Sequence, residues 1–287
     1  MCWLTCAYDN NRWPDEWREG IIIPIFKAGE VKETKNYREI TLLNTGYKMV
    51  TAMMAARLSE WLEKEKKLTE NQAGFRRGYS SRDNIFTLNT LIENRKKKRW
   101  KTLYLKTAFD RVNRRLLMEK LWSLGVTSRM LRKIEEIYRE TRNVVAKSSP
   151  HSSFPRVRQD CPLSPSLFAV FINDIERNWE TRKIGGTELG KDKVFCLKFA
   201  DDIAVIAEAR EDLQDMIPDL ERYIRKNKLE VNISKSQIVV FRNGGRLSKR
   251  DTSKFGEKDL LVVNQYKYLG YIFTATNSPT EHLTSES

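Results

Sequence analysis

The sequence predicts an α+β fold in which several helices alternate with a few antiparallel strands. Long segments carry apolar residues at helical spacing, whereas short β-branched segments bounded by turn residues indicate strands. The chain has 287 residues, of which 40% are hydrophobic and 31% are charged. It is therefore long enough for one large or two modest domains, and apolar enough to bury a core.

The first half of the chain predicts one strand and four helices. An apolar, β-branched segment runs from Gly20 to Lys27 and meets a turn at Ala28-Gly29. The third helix has a good N-cap in Asn113 and a good stop signal in Gly125. The four helices are predicted at 46–66, Asp83 to Arg99, Asn113 to Leu124 and Thr127 to Arg142.

The second half predicts two more helices and several short strands. Ser164-Pro165 is typical of a helix start with Ser164 as N-cap, and an apolar helix face continues from Leu167 to Trp179. The other elements are a helix at 210–228 and strands at Gln237 to Arg242, Val262-Val263 and Tyr268 to Phe273. The polar residues from Thr274 to Ser287 are expected to fray.

The charge balance favours a polyanionic partner. The chain has 52 Lys and Arg residues against 38 Asp and Glu residues, which gives a net charge of +14. No apolar run approaches the roughly 18 residues of a membrane span, and the N-terminus lacks the pattern of a signal peptide. We therefore expect an intracellular protein, nuclear or cytoplasmic, that is not secreted and binds no membrane. The cysteines at 2, 6, 161 and 196 match no zinc-finger spacing and are expected to be reduced.

Two adjacent aspartates, Asp201 and Asp202, are the most informative feature of the chain. They follow an apolar segment from Val194 to Ala200, and a second apolar segment, Ile203 to Ala207, begins directly after them. This pattern predicts two strands joined by a tight turn with the carboxylates at its tip. An ordinary hairpin turn explains the pair, but neighbouring carboxylates also suit a hard divalent cation such as Mg²⁺.

Further motifs occur in one order along the chain. They are Asn36 to Asn44, Asn71 to Arg76, Leu105 to Val112, Arg158 to Phe168, Phe199 to Asp202, Asn232 to Ser236 and Tyr268 to Gly270. This series closely resembles the reverse transcriptase domain of non-LTR (LINE-type) retrotransposons, from about Trp17 to Phe273. Each motif is weak by itself, whereas all of them in this order are highly specific.

The resemblance implies the fingers and palm of a right-hand polymerase, with a small antiparallel palm sheet backed by helices. It implies a lead-in at 1–20, fingers at 20–100, a palm at 100–274 with fingers elements interleaved around 113–155, and a frayed tail at 275–287. The thumb is largely absent after Thr274, and the endonuclease domain and Cys/His-rich tail of full elements are missing. We therefore expect a fragment of a longer open reading frame.

The resemblance also implies an RNA-directed DNA polymerase that uses an RNA template, a DNA primer and deoxynucleoside triphosphates. In that family Mg²⁺ ions, for which Mn²⁺ is a possible substitute, activate the primer 3′-hydroxyl and stabilise the pyrophosphate leaving group. Asp201 matches the hairpin residue that ligates metal most directly, and Asp202 is its neighbour. The resemblance leaves the oligomeric state open.

Other residues match functional positions of the family. Phe109 matches the steric gate that packs under the nucleotide sugar, with a core aromatic as the alternative. Lys235 matches a lysine proposed as proton donor to pyrophosphate, with a surface lysine as the alternative. The nucleotide-binding matches are Arg38 and Gln159, and the nucleic-acid-binding matches are Arg76 and Lys27; the planar fork of arginine suits phosphate.

One departure from the family affects the metal site. The family pattern has a metal-bridging aspartate six positions before the residue that Asp110 matches, and this position holds Tyr104 here. A phenol with a pKa near ~10 is a poor Mg²⁺ ligand at neutral pH. The resemblance therefore implies that Tyr104 stands at the position of a missing ligand and impairs catalysis.

Two further departures add negative charge near the expected site. Asp160 replaces a glycine after Arg158-Gln159, and we expect it to add bulk, remove backbone freedom and repel phosphate. Glu39 replaces a small residue or proline. Together with Tyr104, these changes are typical of a decaying copy of an element.

Three functions remain open from the sequence. The favoured one is a reverse transcriptase domain with impaired catalysis, and the alternative is an RNA-binding module without chemistry. In a third, less favoured one, Asp110 replaces the lost ligand and polymerisation survives. The basic run from Arg95 to Arg99 suits a nucleic-acid contact or a localisation signal, although a solvated helix end explains it about as well.

Overall fold

The computed structural model describes residues 8, 13–26, 29–33, 36–95, 101–106, 112–139, 141–145, 160–243 and 253–276. The helices are α1 (Thr45–Lys64), α2 (Ser81–Arg95), α3 (Arg114–Ser123), α4 (Ser128–Tyr138), α5 (Ser164–Phe171), α6 (Arg177–Arg182) and α7 (Arg210–Lys226). The strands are β1 (Glu19–Phe26), β2 (Tyr37–Leu43), β3 (Lys101–Lys106), β4 (Arg142–Val145), β5 (Thr187–Leu189), β6 (Asp192–Val194), β7 (Cys196–Phe199), β8 (Asp202–Ala207), β9 (Gln237–Val239), β10 (Ser253–Phe255), β11 (Lys258–Val263), β12 (Gln265–Tyr268) and β13 (Tyr271–Thr274). The predicted α+β fold class is confirmed.

The chain divides into two compact units. The first contains Met1–Lys67 and Asp110–Phe171, and the second contains Leu68–Phe109 and Ile172–Ser287. The first unit therefore includes the segment around 113–155 that the sequence assigned to interleaved fingers elements. Residues 68–95, assigned to the fingers from the sequence, belong to the second unit.

The first unit contains a three-stranded sheet in the order β2-β1-β4. Strand β1 pairs antiparallel with β2, from Gly20 opposite Leu43 to Phe26 opposite Tyr37, and parallel with β4 over its first half. Pro24 lies in β1 beyond the last residue that pairs with β4, so its missing N–H breaks no bond of that pair.

Helix starts in this unit are fixed by local capping. The side chain of Asn44 accepts a hydrogen bond from the Gly46 N–H, and that of Asn113 accepts one from the Leu116 N–H, as predicted for Asn113. Helix α3 ends before Gly125, whose φ of 93° suits a glycine stop. The buried face of α1 repeats every three or four residues and consists of Tyr47, Val50, Met54, Leu58 and Leu62.

Two predicted helices of the chain end earlier than the sequence indicated. The helix predicted from Thr127 to Arg142 ends at Tyr138, because Arg142 begins β4 and its neighbours Val144 and Val145 pair with β1 instead. The apolar helix predicted to continue to Trp179 stops at Phe171, and α6 starts only at Arg177. Ser164 is the first residue of α5, so the predicted N-cap position is shifted by one residue.

The second unit is built on a six-stranded sheet in the order β10-β11-β9-β3-β8-β7. All neighbours are antiparallel, as the sequence predicts, except β9 and β11, which run parallel. Helix α7 contacts β3 and β8, and α2 contacts β7. The core between these elements includes Leu88, Leu91, Leu197, Ala204, Ile206, Val239 and Phe273.

Short hairpins complete this unit. The strand predicted from Tyr268 to Phe273 is two strands, β12 and β13, because Leu269 and Gly270 adopt positive φ angles of 51° and 90° and turn the chain back. The predicted strand Gln237 to Arg242 is shorter and ends at Val239. Residues 277–287, most of the predicted frayed tail, lie outside the described residues. In the described parts of the chain, no helix has the length and apolarity to cross a bilayer.

Candidate functional site

The two aspartates lie at a tight hairpin, as the sequence predicts. Phe199 at the end of β7 pairs with Asp202 at the start of β8, which leaves Ala200 and Asp201 as the turn. Both aspartates are partly exposed. Ala200 has a φ of 54°, and a non-glycine residue held in such a conformation costs about 1–3 kcal/mol. The turn that carries Asp201 is therefore strained and must be held by its surroundings.

Strand β3 lies directly beside the second strand of this hairpin. Its register with β8 sets Lys106 opposite Asp202 and Tyr104 opposite Ala204. On its other side, Tyr104 pairs with Gln237 of β9. The backbone thus places residue 104 on the strand next to the hairpin, two ladder positions from Asp202.

The segment Asn71–Gly74 runs along the free side of β7. The Lys198 N–H donates to the Asn71 carbonyl (2.7 Å), and the Ala73 N–H donates to the Lys198 carbonyl (2.9 Å). A Cβ atom on Gly74 would lie 2.2 Å from the backbone nitrogen of Ala200, so only glycine allows this approach. Two backbone hydrogen bonds to Lys198 and the close approach of Gly74 to Ala200 therefore hold the strained turn in place.

A buried ion pair anchors the same strand. Lys198 Nζ lies 2.8 Å from Glu176 Oε1, and the two side chains are 0% and 2% exposed. Lys198 Nζ also donates to Thr69 Oγ1 (2.9 Å) and to the Asn173 carbonyl (3.4 Å). Because a buried charge is costly unless it is paired and hydrogen-bonded, these contacts fix Lys198 three residues before Asp201.

The carboxylate of Glu176 has two more donors. Cys196 Sγ donates to Glu176 Oε2 (3.3 Å), and so does Asn71 Nδ2 (3.3 Å). Burial, followed by the charge of Glu176, raises the pKa of the Cys196 thiol well above its ordinary value. Cys196 is therefore a protonated hydrogen-bond donor rather than a reactive thiolate, in accord with the reduced state expected from the sequence.

Lys235 lies in a short 3-10 turn, Ile233–Lys235, directly before β9. The side chain of Asn232 caps this turn by accepting from the Lys235 N–H (3.2 Å), and the Lys235 side chain is exposed. Two residues later, Gln237 pairs with Tyr104. Lys235 therefore lies two residues before the strand position that pairs with Tyr104. Its exposure also fits an ordinary surface lysine.

Arg76 makes its polar contacts within the protein. Its guanidinium donates to the carbonyls of Thr69 (2.9 Å) and Gln72 (3.0 Å) and stacks 4.0 Å from the ring centre of Tyr79. These contacts hold the loop that supports the hairpin. The sequence assigned Arg76 to nucleic acid, and that role remains a prediction.

In the first unit, Asp160 differs from the expectation. Its φ of 62° is the left-handed conformation that a glycine adopts easily. Asp160 therefore reaches this backbone conformation, contrary to the expectation that the aspartate would prevent it. Its Oδ2 accepts a hydrogen bond of 2.9 Å from the backbone N–H of Thr41 in β2. The carboxylate therefore has a defined structural partner besides any effect on phosphate.

The other predicted site residues lie on β2 or outside the described residues. Arg38 and Glu39 are consecutive in β2, opposite Ile25 and Pro24, and Glu39 is exposed. Lys27, Phe109, Asp110 and Gln159 lie outside the described residues. The sequence did not single out Lys198, Glu176 or Gly74, although a lysine inside an otherwise apolar strand was a visible signal.

The hairpin carries part of the donor set that a divalent metal requires. Mg²⁺ prefers carboxylate oxygens, and the hairpin supplies those of Asp201 and Asp202. Among the residues that the structure describes, no group of three or more His, Cys, Asp or Glu side chains could hold a metal ion. With a tyrosine at residue 104, these donors do not fit the carboxylate set that a two-metal site requires.

Comparison with known proteins decides the family. The profile described as "Reverse transcriptase (RNA-dependent DNA polymerase)" matches residues 25–273. This chain belongs to the reverse transcriptase family. The resemblance to non-LTR retrotransposons is confirmed by relatives among their proteins.

The relatives are distant and longer than this chain. The R2 retrotransposon polyprotein of Popillia japonica is 27% identical over 279 residues, which are 91% of this chain and 38% of that protein. The probable RNA-directed DNA polymerase of the Drosophila melanogaster X-element is 25% identical over 297 residues, with 95% and 30% covered. The TX1 transposon 149 kDa protein of Xenopus laevis is 25% identical, with 81% and 18% covered. The match with this chain thus spans less than half the length of each of these relatives.

Solved structures support the fold. Apo telomerase of Candida tropicalis, truncated from its C-terminal domain, aligns with a TM-score of 0.61 at 13% identity, covering 92% of this chain and 55% of that one. Telomerase of the same organism with a fragment of telomeric RNA aligns with a TM-score of 0.59 at 13% identity, covering 96% and 47%. The expected polymerase fold is confirmed.

Proposed function

We propose that this chain is the fingers and palm part of an RNA-directed DNA polymerase from a non-LTR retrotransposon, with catalysis impaired at residue 104. The substrates would be an RNA template, a DNA primer and deoxynucleoside triphosphates. Family membership supports the activity class, and the telomerase neighbour in complex with RNA supports RNA as a ligand class. The cellular site would be the nucleus or the cytoplasm.

The impairment is inferred from the register of β3 with β8, the second strand of the Asp201 hairpin. Tyr104 is paired with Ala204, two positions from Asp202, and by the sequence resemblance it stands where the family has a carboxylate. A neutral phenol neither offsets the charge of a divalent metal nor binds it well at neutral pH. Asp201 and Asp202 would hold a metal, Mg²⁺ or Mn²⁺, that is weakly bound.

The test is primer extension on an RNA template with Mg²⁺ and with Mn²⁺. Tyr104→Asp is expected to raise extension well above the unaltered chain, because it restores a charged oxygen ligand. Tyr104→Asn is the matched control, since it has the same size as aspartate without the charge. Asp201→Asn in the Tyr104→Asp background should return extension to background. Robust extension by the unaltered chain, or equal extension by the aspartate and asparagine variants, would contradict the impairment.

The second candidate function is RNA binding without chemistry. The net charge of +14 favours it, because phosphate contacts by Lys and Arg need no metal. If Tyr104→Asp, in a folded protein that binds a primer–template hybrid, still gives no extension with either metal, this second function is the better description. Circular dichroism of each variant establishes that the protein is folded.

A further inference from the structure

Phe75 combines two features that are rarely found together. It follows Gly74 in the loop that supports the Asp201 hairpin, and 49% of its surface is exposed to solvent. Its φ is 62°, a conformation that a bulky side chain adopts only at a cost. Strained residues persist only where the surrounding structure fixes them, and they cluster at ligand-binding positions.

The surrounding loop is rigid enough to impose this conformation. Arg76 donates to the carbonyls of Thr69 and Gln72 and lies over the ring of Tyr79. The hydroxyl of Tyr79 in turn donates to the carboxylate of Glu70. Both neighbours of Phe75 are therefore fixed, Arg76 by these bonds and Gly74 by its contact with Ala200. An exposed aromatic ring on a fixed backbone loses little conformational entropy on binding a ligand.

The position of the loop indicates which ligand this is. Gly74 contacts the backbone nitrogen of Ala200, and Asp201 is the next residue along the hairpin. Arg77, on the other side of Arg76, is exposed and cationic. An exposed ring with a neighbouring cation is the combination that binds nucleic acid, because bases stack on aromatic rings and phosphates bind arginine.

We propose that Phe75 is a stacking platform for the base at the primer end of the primer–template hybrid beside the Asp201 hairpin, with Arg77 contacting an adjacent phosphate. This rests on the proposed function, since it requires a nucleic acid at the hairpin. It reassigns the nucleic-acid contact from Arg76, which holds the loop, to its two neighbours. Strain at Phe75 is retained because glycine at this position would have no ring to stack.

The experiment measures the affinity for a short RNA–DNA hybrid by fluorescence anisotropy at low salt, using the full chain. Phe75→Ala is expected to weaken binding about tenfold, the effect typical of losing one stacked base. Phe75→Trp should bind at least as well as the unaltered chain, since tryptophan keeps a stacking face. The matched control is Phe86→Ala, because Phe86 in α2 is 73% exposed.

Phe75→Gly separates binding from folding. Glycine tolerates a φ of 62° without strain, so the Tm of this variant is expected to stay level or rise while its affinity falls as in Phe75→Ala. If Phe75 instead serves folding, Phe75→Gly should lower the Tm. A 2-aminopurine base at the primer end should be quenched by the unaltered chain and less so by Phe75→Gly.

The outcomes distinguish this inference from the proposed function. If the unaltered chain binds the hybrid but all Phe75 variants bind equally well, or if Phe86→Ala weakens binding as much as Phe75→Ala, the stacking platform is wrong and the polymerase assignment stands. If the unaltered chain binds no hybrid at low salt, both are wrong. If Phe75→Ala weakens binding while Phe75→Gly melts at a lower Tm, the residue serves folding and the inference is overturned.

Discussion

Lys198 Nζ lies 2.8 Å from Glu176 Oε1 with both side chains buried, on the strand that leads into the Asp201 turn. Lys198 also bonds through its backbone to Asn71 and Ala73 on the neighbouring segment. One residue thus ties the hairpin both to the loop before α2 and to the turn before α6. The two-residue turn requires a positive φ at Ala200, which costs a non-glycine residue energy, so these ties help to hold Ala200 in its strained conformation.

Breaking this pair on one side should be costly. Lys198→Met leaves the Glu176 carboxylate buried without its cation, and we expect a loss of roughly 3–5 kcal/mol in the free energy of unfolding. The double variant Lys198→Met with Glu176→Gln should lose less than the single one, because no uncompensated charge remains and the amide oxygen still accepts from Asn71 and Cys196. Urea denaturation followed by circular dichroism measures both. A double variant less stable than Lys198→Met would contradict the interpretation.

Alkaline pH should destabilise the second unit through Tyr223. Its hydroxyl donates to Asp174 Oδ1 (2.7 Å), and burial, followed by the charge of Asp174, raises the pKa of the phenol well above its ordinary value. A raised pKa in the folded state means that this contribution to stability is complete below the unfolded pKa of about 10 and is lost as pH rises above it. One such group contributes a slope of about −1.4 kcal/mol per pH unit.

Tyr223→Phe tests this slope. The variant loses the hydrogen bond to Asp174 and is expected to be less stable at pH 8, but its stability should fall less steeply between pH 10 and 11. Urea unfolding across this range gives both curves. Parallel curves for the variant and the unaltered chain would show that Tyr223 does not contribute to the pH dependence.

Local features of the sequence were predicted well. The Asp201 hairpin and helix α3 follow from patterns within a dozen residues, since a turn or a cap is decided by its own neighbours. The position of Tyr104 next to the hairpin was also expected from motif order. Phe109, Gln159 and Lys27 lie outside the described residues, so their roles stay predictions.

Long-range features could not be predicted. Lysine is almost never fully buried, and the partner of Lys198 lies 22 residues away in a segment that looked like a continuous helix. Arg142, the first residue of β4, was expected to end a helix, because the pairing of β4 with β1 spans more than a hundred residues and leaves no local signal. The left-handed conformation of Asp160 was likewise invisible, because aspartate gives only a weak preference for it.

Nucleic-acid binding should depend steeply on salt. With a net charge of +14, the logarithm of affinity should fall with the logarithm of salt concentration by a slope of about −0.7 to −0.9 per neutralised phosphate. Replacing Lys96, Lys97, Lys98 and Arg99 with glutamine should make this slope shallower if the run touches phosphate. Arg95→Gln is the control, because Arg95 is paired with Glu208 (3.0 Å) and its loss should leave the slope unchanged. An affinity that does not change with salt would contradict phosphate binding.

Substitutions of Asp160 separate its contribution to stability from the effect of its charge on nucleic-acid binding. Its carboxylate accepts from the Thr41 N–H, and Thr41 is 3% exposed, so removing the acceptor leaves a buried donor unpaired. Asp160→Asn keeps an acceptor oxygen and tolerates the left-handed conformation, so its stability should be close to that of the unaltered chain. Asp160→Gly relieves the φ strain but loses the bond, and should be less stable by about 1 kcal/mol.

Asp160→Ala loses the hydrogen bond and keeps the strain, so it should be the least stable of the three variants, by about 2 kcal/mol relative to the unaltered chain. Thermal melts rank them. Hybrid binding at low salt then isolates the charge: if the carboxylate repels phosphate, the asparagine variant binds more tightly than the unaltered chain although it folds equally well. An alanine variant as stable as the asparagine one would show that the bond to Thr41 contributes nothing. Equal hybrid affinities for aspartate and asparagine would leave Asp160 with a structural role and remove it from the causes of impaired catalysis.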